Sequence, residues 1–279
     1  MKNTQYAINC QGRLLQLAPS TIMGILNLTP DSFYAPSRVA DTAVLRQAEQ
    51  MLKEGATLLD IGGQSTRPHA EYIAEDTELQ RVLPAIAQLH RHFPEAVISI
   101  DTFRAKVAEA AVAAGASIVN DISGGRFDAA LWQTVADLGT PYVLMHSTGA
   151  TPDDLHQKPV YDDIVLEVMD YFITQIAALR KLGIKDIILD LGFGFGKTLA
   201  DNYTLLRRLP EFAILDCPIL VGISRKSMVY KPLQILPEAA LPATSALHLY
   251  ALQQGAHILR VHDAHEAKQM QVLYEKLNY

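Results

Sequence analysis

Cysteine is scarce: Cys10 and Cys217 are the only two in 279 residues. They match neither a disulfide framework nor a zinc-ligand spacing, which points to a reducing compartment. Long apolar runs are also missing. No stretch of about 18 apolar residues is available to span a bilayer, and the opening MKNTQYAINCQGR lacks the apolar segment of a secretory leader. A cytoplasmic protein is expected. Basic charge is in deficit, with 24 Lys+Arg against 30 Asp+Glu, a net charge of -6 and a pI of about 5.8. That balance argues against a broad nucleic-acid surface, so any anion site must be local. Ser/Gly-rich linkers and low-complexity tracts are absent, so residues 1–279 are expected to form one domain. With 49% hydrophobic residues, such a chain can bury a large core.

Nucleotide signatures fail as well. In LDLGFGFGKTLADN, Gly192 and Gly196 enclose three residues before Lys197 and Thr198, whereas a phosphate loop has four between its glycines. The dinucleotide pattern G-x-G-x-x-G is not met either.

What the chain does contain is an alternation of short β-branched runs with longer segments of helical period. Strands are expected at 21–29, 57–63, 96–102, 117–121, 141–147, 186–192, 218–224 and 257–263. Helical patterns lie between them, several ending at a glycine suited to a left-handed cap. Continuously apolar strands that each lead into a helix imply a parallel sheet covered by helices. Eight such units predict a (β/α)8 barrel, with residues 1–20 as an extension or short hairpin below it. An open doubly wound sheet is the competing arrangement.

Polar residues collect where strands end: Asn27, Asp60, Asp101, Asn120 with Asp121, His146, Asp190, Ser224-Arg225-Lys226, and Arg260 with His262. A barrel brings these ends to one rim, where active sites are built. The last two strands carry Arg225, Lys226, Arg260 and His262, which suit a phosphorylated substrate. Arg225 and Lys226 are otherwise a solvated loop pair. Arg260 and His262, two apart on one strand, point to the same side. Across the mouth, Asp101, Asn120 and Asp190 offer acceptors for a ring rich in N–H donors, such as a pterin or guanine. Asp60 and Asp121 are expected to be structural, and His146 is left unassigned. Asn27 suits Mg²⁺, which takes one or two protein oxygens and completes its shell with water and substrate phosphates.

These residues lie in MGILNLTPDSF, DIGGQSTRP, SIDT, NDISGG, LMHSTG, DLGFGFGK, GISRKS and RVHD. In that order the motifs resemble the dihydropteroate synthase family of pterin-binding barrels, from about residue 21 to the end. The resemblance implies the joining of 6-hydroxymethyl-7,8-dihydropterin diphosphate to p-aminobenzoate, with diphosphate lost before the aromatic amine attacks. It implies a pterin set of Asp101, Asn120, Asp190 and Lys226. It also implies a diphosphate set of Asn27, Arg67, Arg260 and His262 with Mg²⁺ at Asn27, and an acceptor set of Thr66, Arg67, Pro68, Phe195 and Ser224. Lys226, Arg260 and His262 would carry the catalysis. A homodimer is implied too, with small-molecule substrates and no nucleic-acid or membrane partner.

The chain departs from the family in Gln64 for a common Glu, His69 for Gly and Leu191 for Pro. Tyr34-Ala35-Pro36-Ser37 stands where the family continues with S-D-G-G, in a loop about one residue shorter, and a carboxylate that could close over the diphosphate is missing. Two rivals stand beside this reading. A corrinoid-linked methyltransferase pterin domain would not need the SRK and RVH cations, and a silent scaffold barrel would have an incomplete rim.

Overall fold

The computed structural model describes residues 6–17, 20–28, 38–65 and 70–278. A hairpin of β1 (Tyr6–Cys10) and β2 (Arg13–Leu17) comes first. Eight parallel strands follow: β3 (Thr21–Asn27), β4 (Leu58–Gly62), β5 (Val97–Asp101), β6 (Ile118–Asp121), β7 (Tyr142–Met145), β8 (Ile187–Asp190), β9 (Ile219–Val221) and β10 (Ile258–Val261). Each pairs with the next, and β10 pairs back onto β3. That last pairing closes a (β/α)8 barrel and rules out the open sheet. The expected strands are present but shorter, most of all β9, where Gly222 leaves the ladder and the chain turns into Ser224-Arg225-Lys226.

Side chains alternate between two apolar environments, which explains why the strands lack an apolar/polar alternation. Outward residues such as Ile22, Leu59, Ile100, Val119, Leu144, Leu189 and Leu259 pack against the helices. Inward residues Met23, Leu58, Val97, Ile118, Val143, Ile188, Leu220 and Ile258, one from each barrel strand, form a layer across the lower barrel. Ile8, Cys10 and Leu17 of the hairpin seal that layer from below. Each such side chain, once buried, contributes about 1.5–3 kcal/mol. The hairpin is pinned by Asn9 N donating to Asp186 Oδ2 at 3.0 Å and by the edge-on contact of Tyr6 with His257 at 4.9 Å. Among the described residues, no helix is long and apolar enough to cross a membrane.

Candidate active site

Counting upward by twos from the lower layer gives a row of inward polar residues. Met23 leads to Asn27, Leu58 to Asp60, Val97 to Asp101, Ile118 to Asn120, Ile188 to Asp190 and Ile258 to Arg260. The two-residue period of a strand therefore aims these side chains into the barrel, above its apolar floor. Asp60, Asp101, Asn120 and Asp190 are buried, while Asn27 and Arg260 are partly exposed toward the mouth.

The centre is a charged network. Arg260 donates from Nε to Asp60 Oδ2 at 2.6 Å and from Nη2 to Asp101 Oδ2 at 2.7 Å. Asn120 Nδ2 donates to the same Asp60 oxygen at 2.9 Å, leaving its own Oδ1 as an acceptor. Asp60 Oδ1 is buried with no hydrogen-bond partner among the described residues. Removing one member of a buried ion pair costs about 3–5 kcal/mol, because the other charge is left uncompensated. Burial pushes the Asp101 carboxyl above the usual carboxylate range, and Arg260 holds it partway back. Asp190 is raised by burial too, opposed by Lys226 and the Gly192 N–H, which donates to Asp190 Oδ1 at 2.8 Å.

Lys226 bridges this centre to the loop after β8. Its Nζ donates to the Phe193 carbonyl at 2.7 Å and sits 4.7 Å from the centroid of the Phe195 ring. Burial lowers its pKa to about 8 against the pull of Asp190. On the neighbouring strand end, Ser224 Oγ lies 3.1 Å from His262 Nδ1 and accepts from the His262 backbone at 3.3 Å. The backbone φ of +53° at Arg225 swings that residue onto Asp263, with Nε 2.9 Å from Oδ2. Arg225 is thus a structural cation, and of the adjacent pair only Lys226 faces the centre.

Thr66, Arg67, Pro68 and His69 fall outside the described residues, as do Tyr34–Ser37. The flank of the Thr66–Pro68 segment is clear, however. Gln64 is buried, donates to the Ser65 and Glu71 carbonyls and accepts from Ile73 N at 2.9 Å. A carboxylate at position 64 has no proton for those two carbonyls, so the departure from Glu has a local use.

Sequence reasoning grouped Asp60 with Asp121, and the structure separates them. Asp121 points outward, accepting from Tyr142 Oη at 2.6 Å, Ser123 N at 2.7 Å and Gly125 N at 2.6 Å. Asp60 points inward under Arg260. Two apart from Leu58 on one strand, it carried a signal, but one that needed the inward register to be known. His146 is buried edge-on against Tyr171, and its Nδ1 has no hydrogen-bond partner among the described residues. Those residues contain no cluster of three or more His, Cys, Asp or Glu able to hold a metal.

A closed parallel barrel with buried carboxylates, an amide and an arginine at its inward rim defines an enzyme suited to a ring rich in N–H donors. The chain matches the pterin binding enzyme family over residues 23–262. The dihydropteroate synthase of Escherichia coli (strain K12) is 43% identical over 259 residues, 92% of this chain and 91% of that protein. That of Bacillus subtilis (strain 168) is 38% identical, covering 91% and 89%. The solved Xanthomonas albilineans dihydropteroate synthase with 4-aminobenzoic acid matches with a TM-score of 0.91 at 39% identity, over 99% of each chain. The same enzyme in complex with 7,8-dihydropteroate matches with a TM-score of 0.88 at 37% identity, over 98% of this chain and 99% of that one. The chain belongs to the dihydropteroate synthase family.

Proposed function

We infer that this chain condenses 6-hydroxymethyl-7,8-dihydropterin diphosphate with p-aminobenzoate, giving 7,8-dihydropteroate and diphosphate. The observation that carries this reading is the inward row Asp101, Asn120, Asp190 and Arg260, three acceptors and a cation converging on one mouth. Asp101, Asn120, Asp190 and Lys226 bind the pterin. Arg260 and His262, with Asn27 and Arg67, hold the diphosphate. Thr66, Arg67, Pro68, Phe195 and Ser224 border the acceptor.

The C–O bond to diphosphate breaks first and its electron pair leaves with the diphosphate. The ring delocalises the positive charge, which the carboxylates of Asp101 and Asp190 stabilise. The amine lone pair then forms the C–N bond, and the amine proton passes to solvent or to the departing diphosphate. No activated nucleophile is required. Asn27 Oδ1 lies at the mouth, 3.8 Å from where a side chain on Gly62 would begin. A single neutral oxygen fits a Mg²⁺ ion that takes its remaining ligands from diphosphate and water. Asn27 would hold such an ion, which would supply positive charge opposite the leaving diphosphate. The working form is a homodimer in the cytoplasm, which light scattering and cell fractionation test.

Purified protein given both substrates with Mg²⁺ should release diphosphate and form 7,8-dihydropteroate. Formation of neither product would sink the reading. ATP and GTP should leave the melting temperature unchanged, since Lys197 is buried and its loop is no phosphate cradle. A pterin with diphosphate should raise it, by about 2.7 kcal/mol of added stability at a hundredfold excess over Kd. A shift with ATP alone, lost in Lys197→Met, would restore the nucleotide reading.

Affinity for the bare pterin should peak between two limbs. Asp101 and Asp190 must be ionised to accept from ring N–H groups, so affinity falls as pH drops through their raised values. Lys226 must be charged to donate fully, so affinity falls again as pH rises through about 8. Calorimetric titration across about pH 5 to 9 checks this, and a flat profile would reject the assignment.

A further inference from the structure

Lys197 ends the glycine-rich stretch that mimics a phosphate loop, yet it is only 3% exposed. Its three donors are all used on backbone: His146 O at 3.2 Å, Gly192 O at 2.9 Å and Phe195 O at 3.1 Å. We propose that Lys197 is a positioning residue, whose ammonium, seated on these three carbonyls, sets the Asp190 carboxylate for the pterin and the Phe195 ring for the acceptor. The inference rests on the function proposed above.

The connection to Asp190 runs through one residue. Gly192 gives its carbonyl to Lys197 and its N–H to Asp190 Oδ1. It also lies at φ +67°, where a Cβ would stand 1.9 Å from His146 O, so the loop is pressed against the end of β7 at a distance only glycine permits. Lys197 bonds both sides of that contact, the His146 carbonyl and the Gly192 carbonyl. At the other end it fixes the Phe195 backbone. The Phe195 ring in turn meets Lys226 and lies nearly parallel to His156, with centroids 5.5 Å apart and planes at 14°.

The charge itself is costly there. Burial lowers the Lys197 pKa to about 7, with Lys226 and Arg126 acting in the same direction, while Asp190 and Asp201 hold it up. A side chain with only a packing task has no need of a buried ammonium. The carbonyl cradle also explains why the lysine is unavailable to a phosphate: its donors point down into the loop rather than toward the mouth.

Lys197→Met keeps the length of the side chain and removes the donors. Bare-pterin Kd should rise about tenfold, equivalent to about 1.4 kcal/mol. The KM for p-aminobenzoate at saturating dihydropterin diphosphate should rise about threefold or more, equivalent to about 0.6 kcal/mol. A lowered melting temperature with both constants unchanged would overturn the proposal, leaving the lysine purely structural. Lys197→Arg serves as the second variant and carries the test if the methionine variant does not fold. It keeps charge and donors, but its flat fork does not sit on three carbonyls converging on one point. Pterin affinity should stay within about threefold of the parent while the acceptor KM remains raised. Both constants at parental values in the arginine variant would also overturn it. Failure of the parent protein itself to bind pterin would remove the proposed function instead, so the two failures are distinguishable.

Discussion

Replacing Arg260 by alanine is expected to lower turnover by about 10²–10³, the usual effect of removing one donor aimed at developing negative charge. The guanidinium stands at the inward end of β10, between Asp60 and Asp101, two residues before His262. If it acts where charge grows on the leaving diphosphate, kcat should fall far more than the affinity for bare pterin. The ion pairs add a condition to the measurement. Without Arg260 the Asp101 carboxyl loses the cation that restrains its pKa, so the variant binds a proton there at higher pH than the parent. Kinetics and titrations therefore belong on the alkaline side of that limb, with the melting temperature recorded alongside. His262→Ala should act in the same direction but less strongly, because a neutral imidazole offers one hydrogen bond and no full charge. Near-normal turnover combined with poor pterin affinity in Arg260→Ala would move the arginine to the ring and leave the diphosphate assignment unsupported.

Asp101→Asn and Asp190→Asn should each weaken bare-pterin binding by about 1.5–3 kcal/mol, the worth of a charged hydrogen bond. An amide keeps the shape and loses the charge. The two variants should differ in stability. Asp101→Asn leaves Arg260 its second carboxylate, Asp60, whereas Asp190→Asn removes charge beside two lysines, the partly exposed Lys226 and the buried Lys197, for which Asp190 is the main opposing anion. Calorimetric titration decides the binding claim, and unchanged affinity in both variants would reject these residues as ring ligands.

The barrel was legible because each strand is a short apolar run with a polar residue near or just past its end, and those ends collect on one rim. The inward and outward faces were not legible. Asp60 follows Leu59 and Asp121 follows Asn120, both on short strands, and nothing local says that one faces the barrel interior and the other a helix. Only the register, in which Asp60 sits opposite Ile25 on one side and Ser99 on the other, resolves them. Arg225 and Lys226 posed a similar problem. Their separation depends on a positive φ at a non-glycine residue, which the sequence does not announce. Lys197 was hidden for a third reason: its partners are backbone carbonyls, two of them in its own loop and the third just past the end of β7, and carbonyls leave no signature in side-chain identity.

The hairpin under the barrel has a consequence for the order of assembly. Its residues precede every barrel strand in the chain, yet the layer they seal includes Leu220 and Ile258 from the last two strands. Tyr6 meets Asp216 across 210 residues of chain. The hairpin therefore cannot seat fully until the last barrel strand has been synthesised, and until then the apolar faces of Ile8, Cys10 and Leu17 wait without their partners. Contacts of such long sequence separation place the closing of the floor among the slow, late events of folding. The segment that precedes the barrel strands is thus the one that seals their floor last.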